Sequence, residues 1–103
     1  MRAPTSHIQG MFGVTLDDLC GRWGFPYPNY IKIDVDGIEI PILKAATSVL
    51  KHPNLQSVIV ELGTDAEQQA ASDIMQQAGL KLKTKTTRNW GETCCLFERN
   101  PAA

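Results

Sequence analysis

Tyr30-Ile31-Lys32-Ile33-Asp34-Val35-Asp36-Gly37-Ile38-Glu39 is the stretch from which the rest of the chain can be read. Ile31, Ile33 and Val35 alternate with Lys32 and Asp34, the period of a strand, and Asp36-Gly37 turns the chain at its end. A helix is expected from Glu39, with Pro41 tolerable only in its first turn and Ile42, Leu43, Ala46, Val49 and Leu50 on one face. His52-Pro53-Asn54 stops it. Val58-Ile59-Val60 with Leu62 follows as a compact β-branched run, the pattern of a strand covered on both faces in a parallel sheet. Strand, helix and strand in this order form a crossover unit, which argues for parallel pairing.

Upstream, Leu16, Leu19, Cys20 and Trp23 follow a helical stripe, Gly24 stops it, and Thr15 is placed to cap its first turn, with Asp17 and Asp18 favouring its positive end. Phe25-Pro26-Tyr27-Pro28-Asn29 is a stiff connection into the first strand. Downstream, Thr64 and Glu67 make a capping-box pair, Ala66, Ala70, Ile74 and Ala78 follow at i+4 steps, and Gly79 sits at the helix end. Leu80 to Thr86 alternates Leu and Thr with Lys81, Lys83 and Lys85, and Thr93 to Phe97 is more apolar, so a hairpin across Thr87 to Glu92 is expected. The fold class is α/β, about four strands with three helices: a parallel pair plus a C-terminal antiparallel hairpin. Residues 1–13 read as a linker or substitute edge strand, and residues 14–100 as one domain.

Composition narrows the function classes. The 103 residues carry 10 Lys and Arg against 11 Asp and Glu, a net charge of -1, which does not suit a polyanion binder. Lys81, Lys83, Lys85 and Arg88 form the one basic cluster, without the interleaved aromatics that base stacking needs, and alternating Lys more often guards an edge strand. No run is long and apolar enough to span a membrane. With 43% hydrophobic and 20% charged residues the chain can bury a core. Cys20, Cys94 and Cys95 make an odd count without metal-ligand spacing, so a reducing cytoplasm and no resident metal are expected. Cys94 and Cys95 point to opposite faces of a strand and fit packing. His52 complements a helix end. Trp23, Tyr27 and Trp90 could line a pocket, and packing explains them more simply.

In open α/β sheets ligands bind beyond the carboxyl ends of the strands. There the first strand offers Asp34, Asp36 and Glu39, and the second offers Glu61. Four carboxylates on one rim can orient a hydroxyl, take its proton, or hold a divalent cation through oxygen ligands. Asp36 and Glu39 also suit a helix N-terminus by charge alone. Asp34 is harder to explain that way, because a carboxylate inside a β-branched strand is costly without a partner or a task.

Thr15-Leu16-Asp17-Asp18-Leu19, then Ile31 to Glu39, then Ile42-Leu43-Lys44-Ala45-Ala46, and finally Val58-Ile59-Val60-Glu61-Leu62 resemble the motif series of the FkbM-type S-adenosylmethionine-dependent methyltransferases. Asp36 stands where that family usually has Glu, and Ala45 where Gly is common. The resemblance covers roughly Val14 to Glu98 and implies the C-terminal half of a Rossmann-like methyltransferase sheet. It implies S-adenosylmethionine as cofactor, a small-molecule or sugar oxygen as acceptor, and Asp34, Asp36, Glu39 and Glu61 as site residues. The eight glycines nowhere form G-x-G, so the glycine-rich cofactor loop is absent and the cofactor-binding residues stay unassigned. Two readings follow: a methyltransferase represented by its acceptor-side half, or a non-catalytic remnant acting as a homodimeric assembly module. A half-sheet leaves the first strand's edge bare, a template for pairing with a second copy.

Overall fold

A computed structural model of the chain describes residues 13–35, 37–88 and 90–100. The expectation placed on residues 1–12 falls outside them. Strand β1 (Tyr30–Ile33) is followed by helices α1 (Glu39–Lys44) and α2 (Thr47–Lys51), strand β2 (Ser57–Leu62), helix α3 (Asp65–Gln77) and strands β3 (Leu80–Thr87) and β4 (Thr93–Arg99). The sheet order is β1-β2-β4-β3. β1 runs parallel to β2, with Ile31 opposite Val58 and Ile33 opposite Val60, whereas β4 is antiparallel to both β2 and β3. The expected α/β class, parallel pair and C-terminal hairpin are therefore present. The hairpin's second strand, not its first, lies against β2.

Alternation along the strands sorts the sheet into two unlike faces. Ile33, Val58, Val60, Leu62, Cys95 and Phe97 pack with Leu43, Leu50, Leu55, Met75 and Leu80 in the core. The opposite face carries Tyr30, Lys32, Ile59, Glu61, Cys94 and Leu96, with Tyr30 74% exposed. On that opposite face β2 leaves Ser57 and Ile59 half-buried and buries only Glu61, which falls short of the expected cover on both faces. On the last strand Cys95 is buried and Cys94 half-buried, as alternation requires. Burial pushes the Cys95 thiol up, with Lys85 partly offsetting the rise, so this sulfur packs as a neutral group.

Several local expectations change. The N-terminal stripe forms a π-type turn, Asp18–Arg22, that buries Cys20, while Trp23 remains 56% exposed. Thr15 does cap it, its Oγ1 accepting from Asp18 N at 3.0 Å. Asp17 acts elsewhere: its two carboxylate oxygens accept from Ser48 N and Val49 N at 2.9 and 2.8 Å. That explains why the helix expected over residues 39–51 breaks in two. Ala45 and Ala46 leave helical geometry, and the amides freed at the start of α2 are satisfied by a carboxylate 31 and 32 residues upstream. Thr47 Oγ1 donates to Lys44 O at 3.2 Å and closes the joint.

α3 keeps its capping box, with Glu67 N donating to Thr64 Oγ1 at 3.1 Å and Glu67 Oε1 accepting from Gly63 N at 3.2 Å. Its buried positions are Ala71 and Met75, with Ala78 buried at its C-cap; Ala70 and Ile74 are half-buried and Ala66 is exposed, so the face is rotated from the one expected. β3 is the outer strand of the hairpin, as its alternating lysines suggest, and Lys83 Nζ meets Glu98 at 2.9 Å. Trp90 is exposed as well, beneath the Arg88 guanidinium at 5.8 Å, which departs from the packing expectation. Tyr27 does pack, stacked on His52 with ring centroids 3.8 Å apart. Among the described residues no helix is long and apolar enough to cross a membrane.

Candidate functional site at the strand exits

Parallel pairing sends β1 and β2 out of the same end of the sheet, and antiparallel β4 begins at that end. Leu62 lies opposite Thr93, so Glu92 is delivered beside the exit of β2. Asp34 follows β1 by one residue, Glu61 is the penultimate residue of β2, and Glu92 precedes β4 by one. By the period of two, all three belong to the face opposite the helices. One carboxylate oxygen from each lies within 4.8 Å of the others.

The four residues expected on this rim fare differently. Glu61 is buried at 8% exposure, and its Oε1 is 3.1 Å from Arg88 Nη2. Arg88 is held for this by the hairpin loop, where its N donates to Glu92 O at 2.7 Å and its O accepts from Gly91 N at 3.0 Å. Glu39 opens α1 and is only 6% exposed. It lines a pocket of about 120 Å³ with Val35, Gly37, Glu61, Gly63, Glu67 and Glu92. Asp34 is near the same exit but exposed, and it lies past the strand rather than in it. The cost of a carboxylate inside a strand therefore does not apply to Asp34; closeness to Glu61 and Glu92 is what marks it. Asp36 lies outside the described residues.

Glu92 and Arg88 were not singled out from the sequence as members of the site. The hairpin was legible, and its loop had to carry polar residues, but nothing local says that β4 inserts next to β2. Had β3, which runs parallel to β2, taken that place, Glu92 would have been set one strand further from Glu61.

A rim of carboxylates at the open end of an α/β sheet defines a protein equipped to bind hydroxyl-bearing or cationic groups there. The pocket is smaller than the roughly 300 Å³ at which small-molecule sites begin. This pocket by itself is too small for a group as large as S-adenosylmethionine.

Residues 8–94 match the model of the methyltransferase FkbM domain. The chain belongs to the FkbM methyltransferase family. It is similar to the hexuronic acid methyltransferase AglP of Haloferax volcanii, with 33% identity over 72 residues, which cover 70% of this chain and 28% of that protein. The chain thus spans under a third of the length of the curated relative it matches. No solved structure matches it.

Proposed function

We propose that this chain is the acceptor-side, C-terminal half of an S-adenosylmethionine-dependent methyltransferase domain, spanning residues 14–100, that methylates an oxygen of a small molecule or sugar. The observation that carries this reading is the convergence of Asp34, Glu61 and Glu92 at the strand exits within a family-matched stretch. The name of the Haloferax relative, which acts on a hexuronic acid, supports a sugar acceptor. Asp34, exposed at the rim, accepts a hydrogen bond from the acceptor hydroxyl and draws its proton as the oxygen attacks. Glu61, fixed by Arg88, orients a neighbouring hydroxyl, Glu39 lines the same pocket, and Asp36 is assigned to the site from the motif alone. When bound, the cofactor supplies an electrophilic methyl group, and most of the rate comes from holding the oxygen in line with it. The cofactor's own cradle belongs to sequence beyond this stretch. Three free thiols support a reducing cytoplasm.

Asp34→Asn in a domain carrying both halves will lower methyl transfer to a sugar acceptor by about 10²- to 10⁴-fold. Cofactor affinity will be unchanged; unchanged turnover removes Asp34 from the mechanism. The 103-residue chain alone will show no calorimetric binding of S-adenosylmethionine tighter than about 100 μM, which corresponds to roughly 5.5 kcal/mol. Tighter binding would mean that this stretch builds a complete site.

A second reading, a homodimeric assembly module, is favoured by one observation. β1 pairs with β2 and with no other strand among the described residues, which leaves one edge free. Beside it runs an apolar groove lined by Leu16, Ile31, Ile33, Val35 and Ile42. Such an edge pairs readily with a second copy. Sedimentation equilibrium of the chain is expected to give twice its 11.3 kDa mass, and a stable monomer would count against this assembly.

A further inference from the structure

Glu39 poses a problem that methyl transfer does not resolve. It is only 6% exposed, yet its carboxylate has no hydrogen bond or ion pair among the described residues. No buried side-chain oxygen lacks a partner outright, so the Glu39 oxygens keep an opening, and the pocket they line is the one shared with Glu61 and Glu92. An ionised carboxylate taken this far from water is unfavourable unless positive charge faces it. Arg88 supplies one such charge, but it is directed at Glu61 Oε1. Glu67, the other carboxylate in the pocket, is engaged with Gly63 N and Thr64 Oγ1.

We infer that Asp34, Glu61 and Glu92 form a binding site for a divalent cation of about the size of calcium, with Glu39 facing the ion through water. Each of the three offers an oxygen, the donor type that hard divalent cations require. An ion equidistant from three atoms no more than 4.8 Å apart sits no more than about 2.8 Å from each, a span that admits calcium–oxygen distances of about 2.3 to 2.6 Å. Carboxylates from three separate elements, one of them held by Arg88, suit the flexible coordination of calcium better than the near-ideal octahedron that magnesium demands. Glu61 can join while still paired, because a carboxylate accepts at two oxygens and Arg88 takes one. The ion would also let an acidic rim receive an acceptor oxygen that carries negative charge, which four carboxylates alone would repel. The site needs no cofactor to form, so its test is separate from that of methyl transfer.

Thermal unfolding of the 103-residue chain in EDTA is compared with unfolding in 5 mM CaCl₂ or MgCl₂, with ionic strength matched by NaCl. Calcium at about ten times its dissociation constant will raise the melting temperature by roughly 4 °C or more, and magnesium by less. The double variant Asp34→Asn, Glu92→Gln will lose the calcium shift. Glu39→Gln, which keeps side-chain shape, will weaken calcorimetric calcium binding by about tenfold, as loss of an outer partner does. No calcium shift and no heat of binding in the unaltered chain overturns the site. So does a shift retained in full by the double variant, which would locate the ion elsewhere. Should that variant not fold, an affinity unchanged by Glu39→Gln overturns it instead.

Discussion

Replacing Arg99 with Met will destabilise the chain more than any substitution on the rim, by about 3 to 5 kcal/mol. Arg99 ends β4, and its guanidinium serves four carbonyls: Nε donates to Leu55 O at 2.7 Å, Nη1 to Ala78 O at 2.8 Å, and Nη2 to Leu50 O at 2.6 Å and His52 O at 3.1 Å. Leu50 and His52 lie at the C-terminal end of α2, and Ala78 caps the end of α3. One cation therefore satisfies orphan carbonyls at two helix ends, where the helix dipoles also favour positive charge. Met keeps the apolar stem and removes every donor, leaving those carbonyls unpaired. Lys will restore only part of the loss, because a single ammonium cannot present a planar fork to four acceptors. Urea unfolding of the three proteins measures this, and a Met variant within about 1 kcal/mol of the parent would refute the clamp.

The second large effect separates the two faces of the sheet. Phe97 is fully buried, at 0% exposure, opposite Val58 on β2 and Leu82 on β3. Phe97→Ala will cost about 3 to 5 kcal/mol, the sum of lost transfer energy and the cavity left behind. Leu96, its neighbour in sequence, is half-buried on the face without helices, and Leu96→Ala will cost no more than about 1 kcal/mol. The contrast is the useful quantity. If both substitutions cost the same in the isolated chain, the outer face is covered in solution, as an assembly of copies through that face would require.

Arg99 also shows where sequence reading stops. Nothing in Phe97-Glu98-Arg99-Asn100 distinguishes this arginine from a solvated one, because its partners are carbonyls 21 to 49 residues away. The same holds for Asp17. The motif Thr15 to Leu19 was visible, and a helix-start role for its acids was reasonable, but the helix that Asp17 caps is α2 and not its own. Glu92 and Arg88 joined the site through the sheet order, which no local pattern encodes. Asp34 and Glu61 were found by a rule about strand exits that needs only parallel pairing, and Glu39 by its place at a helix start.

From residues 30–39 outward, periodicity and turn chemistry determined the α/β class, the parallel β1–β2 pair and the C-terminal hairpin, and the resemblance of the motif series pointed to the family. These are properties of segments, set by side-chain spacing and by short-range backbone preferences. The motif series also placed Asp34, Glu39 and Glu61 on one rim. Only the tertiary structure decided that β4 lies between β2 and β3, that the helix after β1 breaks where Asp17 reaches it, and that Glu92 and Arg88 complete the rim. Those outcomes depend on which buried groups meet across long loops. Their energies arise from desolvated partners distant in sequence, and a linear pattern carries no record of them.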